Sequence, residues 1–239
     1  MRIAVVGKGG VGKTSISAML VKVLSEKHRV LAVDADPAGG LAMSLGVGVE
    51  KTLNDVREEI IRMLRQKYDK VEIAASIDYK VFEALIEQDG FALLAVGRPE
   101  EEGCYCQLNT MLREAIEILS KSFDYAVIDG EAGIEQINRR VMRSVDVLLV
   151  VTDMSKKGFQ VANQIMQVAK SAVKFKIAGL IVNRVRGKVD VENEKFDFVH
   201  TVPEDETISR FDVEGKSFLD LPECKAMRAV REIQSFLTM

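Results

Sequence analysis

The feature that most constrains this chain sits at its start. A short apolar run, "RIAVV", leads straight into "GKGGVGKT" (residues 7–14), and a stretch of helical period, "TSISAMLVKVLSEK", follows. A strand that breaks into glycines, with a lysine and a threonine at the head of the next helix, turns its backbone N–H groups inward around phosphate oxygens. Gly7-x4-Gly12-Lys13-Thr14 is the Walker A pattern, in which Lys13 would reach the terminal phosphates and Thr14 Oγ would ligate Mg²⁺. The loop also carries a second lysine, Lys8, although one cation suffices to hold a terminal phosphate. That surplus needs a reason.

The rest of the chain repeats the opening rhythm. Apolar runs at "RVLAVD", "FALLAVG", "YAVID", "VDVLLVV" and "KIAGLIVN" alternate with helical stretches such as "QLNTMLREAIEILSK". Continuous Val/Ile/Leu runs, each followed by a helix, predict an α/β fold with a mostly parallel sheet covered by helices on both faces. The 239 residues, 47% of them hydrophobic, suit a single domain over 1–239. Residues 47–90 are the least regular part; their charged stretch "LNDVREEIIRMLRQKYDK" reads as a solvated helical cover. Ligands in such sheets sit at the carboxyl ends of the strands, where Gly7, Asp34 to Pro37, Gly97 to Cys106, Asp129 to Gly133 and Asn183 fall. Asp129 ends "YAVID" where a Walker B aspartate would hold Mg²⁺. Asp36, just past its strand, is better placed than Asp34 to orient an attacking water.

Charge and composition exclude several partners. A formal net charge of -3 argues against non-specific binding to nucleic acid. No apolar run reaches the roughly 18 to 20 residues needed to span a bilayer, and with the first strand read from Arg2 no signal peptide is expected. The three cysteines do not form a disulfide framework, so a cytoplasmic location with reduced thiols is expected. Near the C-terminus, "CKAMRAVREIQSFLTM" sets Lys225, Arg228 and Arg231 opposite Met227, Val230 and Phe236. It is short and weakly basic, and is expected to pack on the domain rather than to bind membrane stably. "NRVRGK" and Lys156–Lys157 read as solvated faces.

Cys104 and Cys106 are the second informative feature. In an extended segment, residues i and i+2 point to one side, so the two sulfurs can act together. A disulfide between them would close a small strained ring, which leaves metal ligation or two small buried residues. Two thiolates fill only half of a zinc or nickel shell. Cys224, His28 and His200 have no metal-ligand spacing to the pair, whereas a second copy of the chain would complete a four-sulfur site on a two-fold axis.

These motifs together resemble a known group. "GKGGVGKT" is similar to the deviant Walker A loop of the ATPases that include MinD, ParA, the nitrogenase iron protein and the arsenite-pump ATPases. "DADP" resembles that group's switch I, "DGEAGIE" its switch II and "IVNR" its adenine-recognition strand end. The resemblance implies that ATP or ADP with Mg²⁺ is held by Gly7, Lys8, Gly9, Gly10, Val11, Gly12, Lys13, Thr14 and Ser15. It further implies that Asn183, with Arg184 beside it, binds the adenine edge, and that Pro203 and Glu204 line the base pocket. Lys8, Lys13 and Asp36 would carry catalysis, Lys8 by crossing a homodimer interface to the facing subunit's phosphates. An added cation supplied from the other subunit would stabilise transition-state charge and tie hydrolysis to assembly.

"GRPEEEGCYC" after a strand, with "DADP", "DGEAGIE" and "DVEGKSFLDL" in matching order, resembles the CooC family, ATPases that help insert nickel into carbon monoxide dehydrogenase. That likeness implies a homodimeric metallochaperone holding Ni²⁺ or Zn²⁺ between Cys104 and Cys106 of two chains. Its client would be carbon monoxide dehydrogenase or a related acetyl-CoA synthase. The alternative is a MinD/ParA-like positioning or segregation ATPase acting on membrane or DNA. Iron–sulfur carriers of the group use a later Cys-x-x-Cys pair, which this chain lacks.

Overall fold

A computed structural model describes residues 1–98, 106–130, 141, 143–187, 191 and 193–237. Its centre is an eight-stranded sheet formed by β1 (Arg2–Gly7), β2 (Val30–Asp34), β3 (Leu85–Glu87), β4 (Phe91–Ala95), β5 (Tyr125–Asp129), β6 (Val147–Thr152), β7 (Ile177–Val185) and β8 (Phe198–Pro203). The order across the sheet is β3-β4-β2-β5-β1-β6-β7-β8. All the neighbouring pairs are parallel except β3–β4. The expected mostly parallel sheet is therefore present.

Alternation along the strands sorts the core into two layers. Ala4, Val6, Leu31, Val33 and Leu94 point to the face covered by α3 (Leu53–Arg65), α4 (Lys70–Glu83), α5 (Cys106–Ser120) and α6 (Lys156–Ala172). Ile3, Val5, Val30, Ala32 and Leu93 point to the other, covered by α1 (Lys13–Ser25), α2 (Gly40–Leu45) and α8 (Lys225–Leu237). A further helix, α7 (Glu206–Val213), follows β8.

Two strands do not stand out as continuous apolar runs. β3 has three residues, too few for any period to register, and it runs antiparallel at the sheet edge. β8, "FVHTVP", is broken by His200 and closed by Pro203, so it lacks the continuous apolar run of its neighbours. Pairing with β7 makes it a strand.

Residues 47–90 are more ordered than their pattern suggests. Thr52 and Asp55 form a reciprocal capping box that starts α3, and the Asp69 side chain caps α4. Leu53, Val56, Ile60, Ile61, Ile73, Ile77 and Val81 are buried against the sheet layer. Their outer faces are joined by ion pairs from Glu59 to Lys51 (3.0 Å) and Lys80 (2.9 Å). The inner side of this segment completes the core.

The C-terminal helix packs on the domain. Met227, Val230 and Ile233 of α8 are buried in the layer that contains α1, Phe236 stacks on Phe198 at 4.7 Å, and Arg231 makes a bidentate pair with Glu26 (2.6 and 2.9 Å). The apolar face that could have met a membrane already has a protein partner. Among the described residues, no helix is long and apolar enough to cross a membrane.

Candidate functional site

Strand register assembles the site. Asp129 lies opposite Asp34 on one side and Val5 on the other, while Gly7 lies opposite Val151. The carboxyl ends of β2, β5, β1 and β6 are thus level, and the loop from Lys8 to Gly12 sits over them. Gly7 is required by crowding, since a Cβ there would overlap the Val151 carbonyl oxygen. Gly12 adopts φ 88°, a left-handed conformation that favours glycine. It caps α1 without a side chain, so the free N–H groups of the first turn face the loop's interior.

Around this cradle the polar side chains hold defined partners. Lys13 is almost fully buried, and its Nζ donates to the Lys8 carbonyl oxygen at 3.3 Å. Thr14 Oγ1 and Ser17 Oγ each donate to one oxygen of Asp129, both at 2.8 Å. Asp129 is 1% exposed, and burial pushes its carboxyl up to about 6 despite these two hydrogen bonds. A buried carboxylate held against a threonine hydroxyl, its charge disfavoured by burial, suits a divalent cation. Thr14 and Asp129 are the residues that would hold Mg²⁺.

The two aspartates at and just past the end of β2 differ in burial. Asp34 is fully buried, accepts from the backbone N–H groups of Ala42 (2.9 Å) and Asp36 (3.3 Å), and ties the following loop to the sheet. Asp36 is half-exposed, with one oxygen accepting from the Ala38 N–H at 2.9 Å. The loop leads into α2, where a Cβ on Gly40 would just touch the Thr14 side chain.

Strand β7 supplies the other wall. Asn183 is 7% exposed and its Nδ2 donates to the Val11 carbonyl oxygen at 2.8 Å, bridging residues 172 apart in sequence. Arg184 has φ 56°, and its guanidinium donates to the Gly10 carbonyl oxygen at 3.3 Å. Beside them opens a cleft lined by Ser15, Met19, Asn183, Arg184, Pro203 and Glu204, with Ile208, Ser209, Asp212 and Val213 of α7 at its rim. Glu204 is fixed at the lip by Arg186, which donates to both carboxylate oxygens.

Sequence reasoning missed Ser17, which lies one turn beyond Thr14 on the same face of α1, a spacing that could have flagged it. It also missed the α7 residues, which carry no motif. Cys106 is the first residue of α5. Cys104, and switch II from residue 131 onward, lie outside the described residues. His28 rests against Tyr125, and His200 Nε2 lies 2.8 Å from the Ala229 carbonyl oxygen. Among the described residues, no three His, Cys, Asp or Glu side chains gather as a metal site.

A parallel sheet with a glycine loop after a central strand, a lysine–threonine helix start and a buried aspartate on the adjacent strand defines a P-loop nucleotide-binding protein. More particularly, the chain belongs to the CobQ/CobB/MinD/ParA nucleotide binding domain family, whose model matches residues 3–218. It is an ATPase. It is 40% identical to an uncharacterized ATP-binding protein of Methanocaldococcus jannaschii, over 93% of this chain and 92% of that one. It is 32% identical to the carbon monoxide dehydrogenase accessory protein CooC of Rhodospirillum rubrum, over 94% of this chain and 92% of that one. Among solved structures, the MinD cell division protein of Aquifex aeolicus superposes with a TM-score of 0.70 at 21% identity, covering 99% of this chain and 95% of that one. The Pyrococcus horikoshii septum site-determining protein MinD, complexed with Mg-ADP, gives 0.68 at 24% identity, covering 99% and 96%.

Proposed function

We propose that this ATPase works as a homodimeric metallochaperone, capturing nickel and delivering it during maturation of carbon monoxide dehydrogenase or a related acetyl-CoA synthase. The observation that carries the reading is the Cys104-x-Cys106 pair, which in sequence lies between β4 and the body of α5. The likeness to CooC along nearly the whole chain supports it. Two chains facing each other would bring together four thiolates and two nucleotides, with the metal as cargo rather than resident cofactor.

Each side chain then has a task. The N–H groups of the loop and of the first turn of α1 take the phosphate oxygens, and Lys13 turns from the Lys8 carbonyl to the terminal phosphate. Bound Mg²⁺ supplies Lewis-acid neutralisation of phosphate charge. Asp36 orients the attacking water, and Lys8 of the facing chain adds the last positive charge. Asn183 has its Nδ2 engaged by Val11, which leaves Oδ1 to accept from the adenine amino group; guanine presents a carbonyl at that edge. Pro203 and Glu204 complete the base pocket. ATP binding closes the dimer and hydrolysis reopens it, so nucleotide state controls metal capture and release.

The MinD/ParA-like reading, action on membrane or DNA, draws on the same family membership. Against it stand the buried apolar face of α8 and the net charge of -3. Metal content and mass of the purified protein, with and without a slowly hydrolysed ATP analogue, separate the readings. The expected result is one Ni²⁺ or Zn²⁺ per two chains, lost in Cys104→Ser. A full equivalent per chain that survives in Cys104→Ser, or no metal together with ATP-dependent binding to anionic vesicles or DNA, would sink the proposal.

A further inference from the structure

Lys8 has a partner that no motif announces. Its Nζ lies 4.0 Å from Oδ2 of Asp153, the first residue beyond β6, and both side chains are a little over one-third exposed. The carboxylate is held in place. Its Oδ1 accepts from the backbone N–H of Ser155 at 2.9 Å and from the Ser155 hydroxyl, and Ser155 caps α6 by accepting from the Gly158 N–H. Oδ2 is thereby turned toward the loop. Space for this arrangement is made by Gly158 in the first turn of α6, where a Cβ would overlap Asp153 Oδ1 and press on Thr152 Oγ1. Glycine is a poor helix former, and here it leaves the room that the carboxylate occupies. Arg184 adds a second positive charge near the same group, and Ser155, Lys8 and Arg184 together hold the Asp153 carboxyl below its usual range.

We propose that Asp153 is a positioning residue for hydrolysis, which holds Lys8 on its own chain until the phosphates of a second chain's nucleotide take the lysine up. The inference rests on the reading that Lys8 acts across the dimer. An unpaired chain then keeps its surplus cation beside Asp153, and dimer closure must break two such pairs, one per subunit. An exposed ion pair contributes about 0.2–1 kcal/mol. Removing both pairs from the competing monomers therefore tightens the ATP-bound dimer by roughly two- to thirtyfold. The pair is exposed enough for salt to screen it.

Asp153→Asn is the informative variant, because it keeps an oxygen for Ser155 and removes only the charge. Two measurements on the full-length protein test the proposal. In the nucleotide-free monomer, Lys8 should react faster with an amine-acylating reagent in Asp153→Asn than in wild type, read by peptide mass spectrometry, and high salt should erase the difference. With a slowly hydrolysed ATP analogue, sedimentation should show the variant dimerising at two- to thirtyfold lower protein concentration, and turnover at low protein concentration should rise with it. Equal Lys8 reactivity, or a dimer unchanged or weakened by Asp153→Asn, overturns the proposal. Lys8→Ala locates the fault: normal ATP-dependent dimers and turnover in that variant remove the reading of Lys8 and the proposal with it. Impaired dimers in Lys8→Ala beside unchanged ones in Asp153→Asn remove only the role of Asp153.

Discussion

Replacing Asp129 with asparagine should make the empty protein more stable at neutral pH while weakening its hold on Mg²⁺–ATP. Burial raises the Asp129 carboxyl from 3.8 to about 6. The unfolded chain loses this proton near pH 4, whereas the folded chain keeps it until about pH 6. In that window the folded state binds more protons, so the group's contribution to stability falls as pH rises, and the full cost is present above pH 6. A shift of about 2 units at about 1.4 kcal/mol each sets the cost near 3 kcal/mol. Asparagine carries no such penalty. Its amide oxygen can keep one hydroxyl donor, and the other hydroxyl, Thr14 or Ser17, can rotate to accept from the amide nitrogen. Urea unfolding from pH 4.5 to 7.5, with chelator and without nucleotide, should show Asp129→Asn gaining on wild type as pH rises, to about 1–3 kcal/mol at pH 7. Added Mg²⁺–ATP should reverse the order, since the cation compensates the wild-type carboxylate and has lost that ligand in the variant. A pH-independent difference, or a variant less stable than wild type at pH 7, would refute the argument from burial.

Lys13→Ala should abolish tight nucleotide binding in calorimetry, whereas Asp36→Ala should bind ATP normally and turn over ~100-fold or more slowly, as expected for loss of a residue that positions the nucleophile; equal loss of affinity in both would merge the roles. Gly158→Ala should destabilise the protein by about 1–3 kcal/mol in urea melts, because its methyl group meets the Asp153 carboxylate and the Thr152 hydroxyl; an unchanged midpoint would show that this corner yields freely. Cys104→Ser or Cys106→Ser should remove tightly bound metal in elemental analysis and leave nucleotide affinity intact, while Cys224→Ser, half-buried beside Asp205, should leave metal content untouched.

What the sequence determined by itself was the part that depends on neighbours along the chain. Six short continuous apolar runs alternating with stretches of helical period specified a parallel sheet, because run length and β-branched composition tell a strand buried on both faces from a helix. The phosphate loop was legible for the same reason: its glycines, Lys13 and Thr14 act within one turn of each other. The places of Asp34, Asp36 and Asp129 at or just past strand ends were legible from the runs that precede them. Tertiary structure decided everything that depends on what lies opposite. β8 is a strand because β7 is beside it, and residues 47–90 complete a core because their buried faces meet the sheet. Asn183 grips Val11 across 172 positions, α7 rims the base cleft without any motif, and Lys8 finds Asp153 only because β1 and β6 are adjacent. Periodicity reports how a segment hydrogen-bonds to itself. Which charges and carbonyls it will meet is set by strand order, and strand order is decided by the packing of the whole chain.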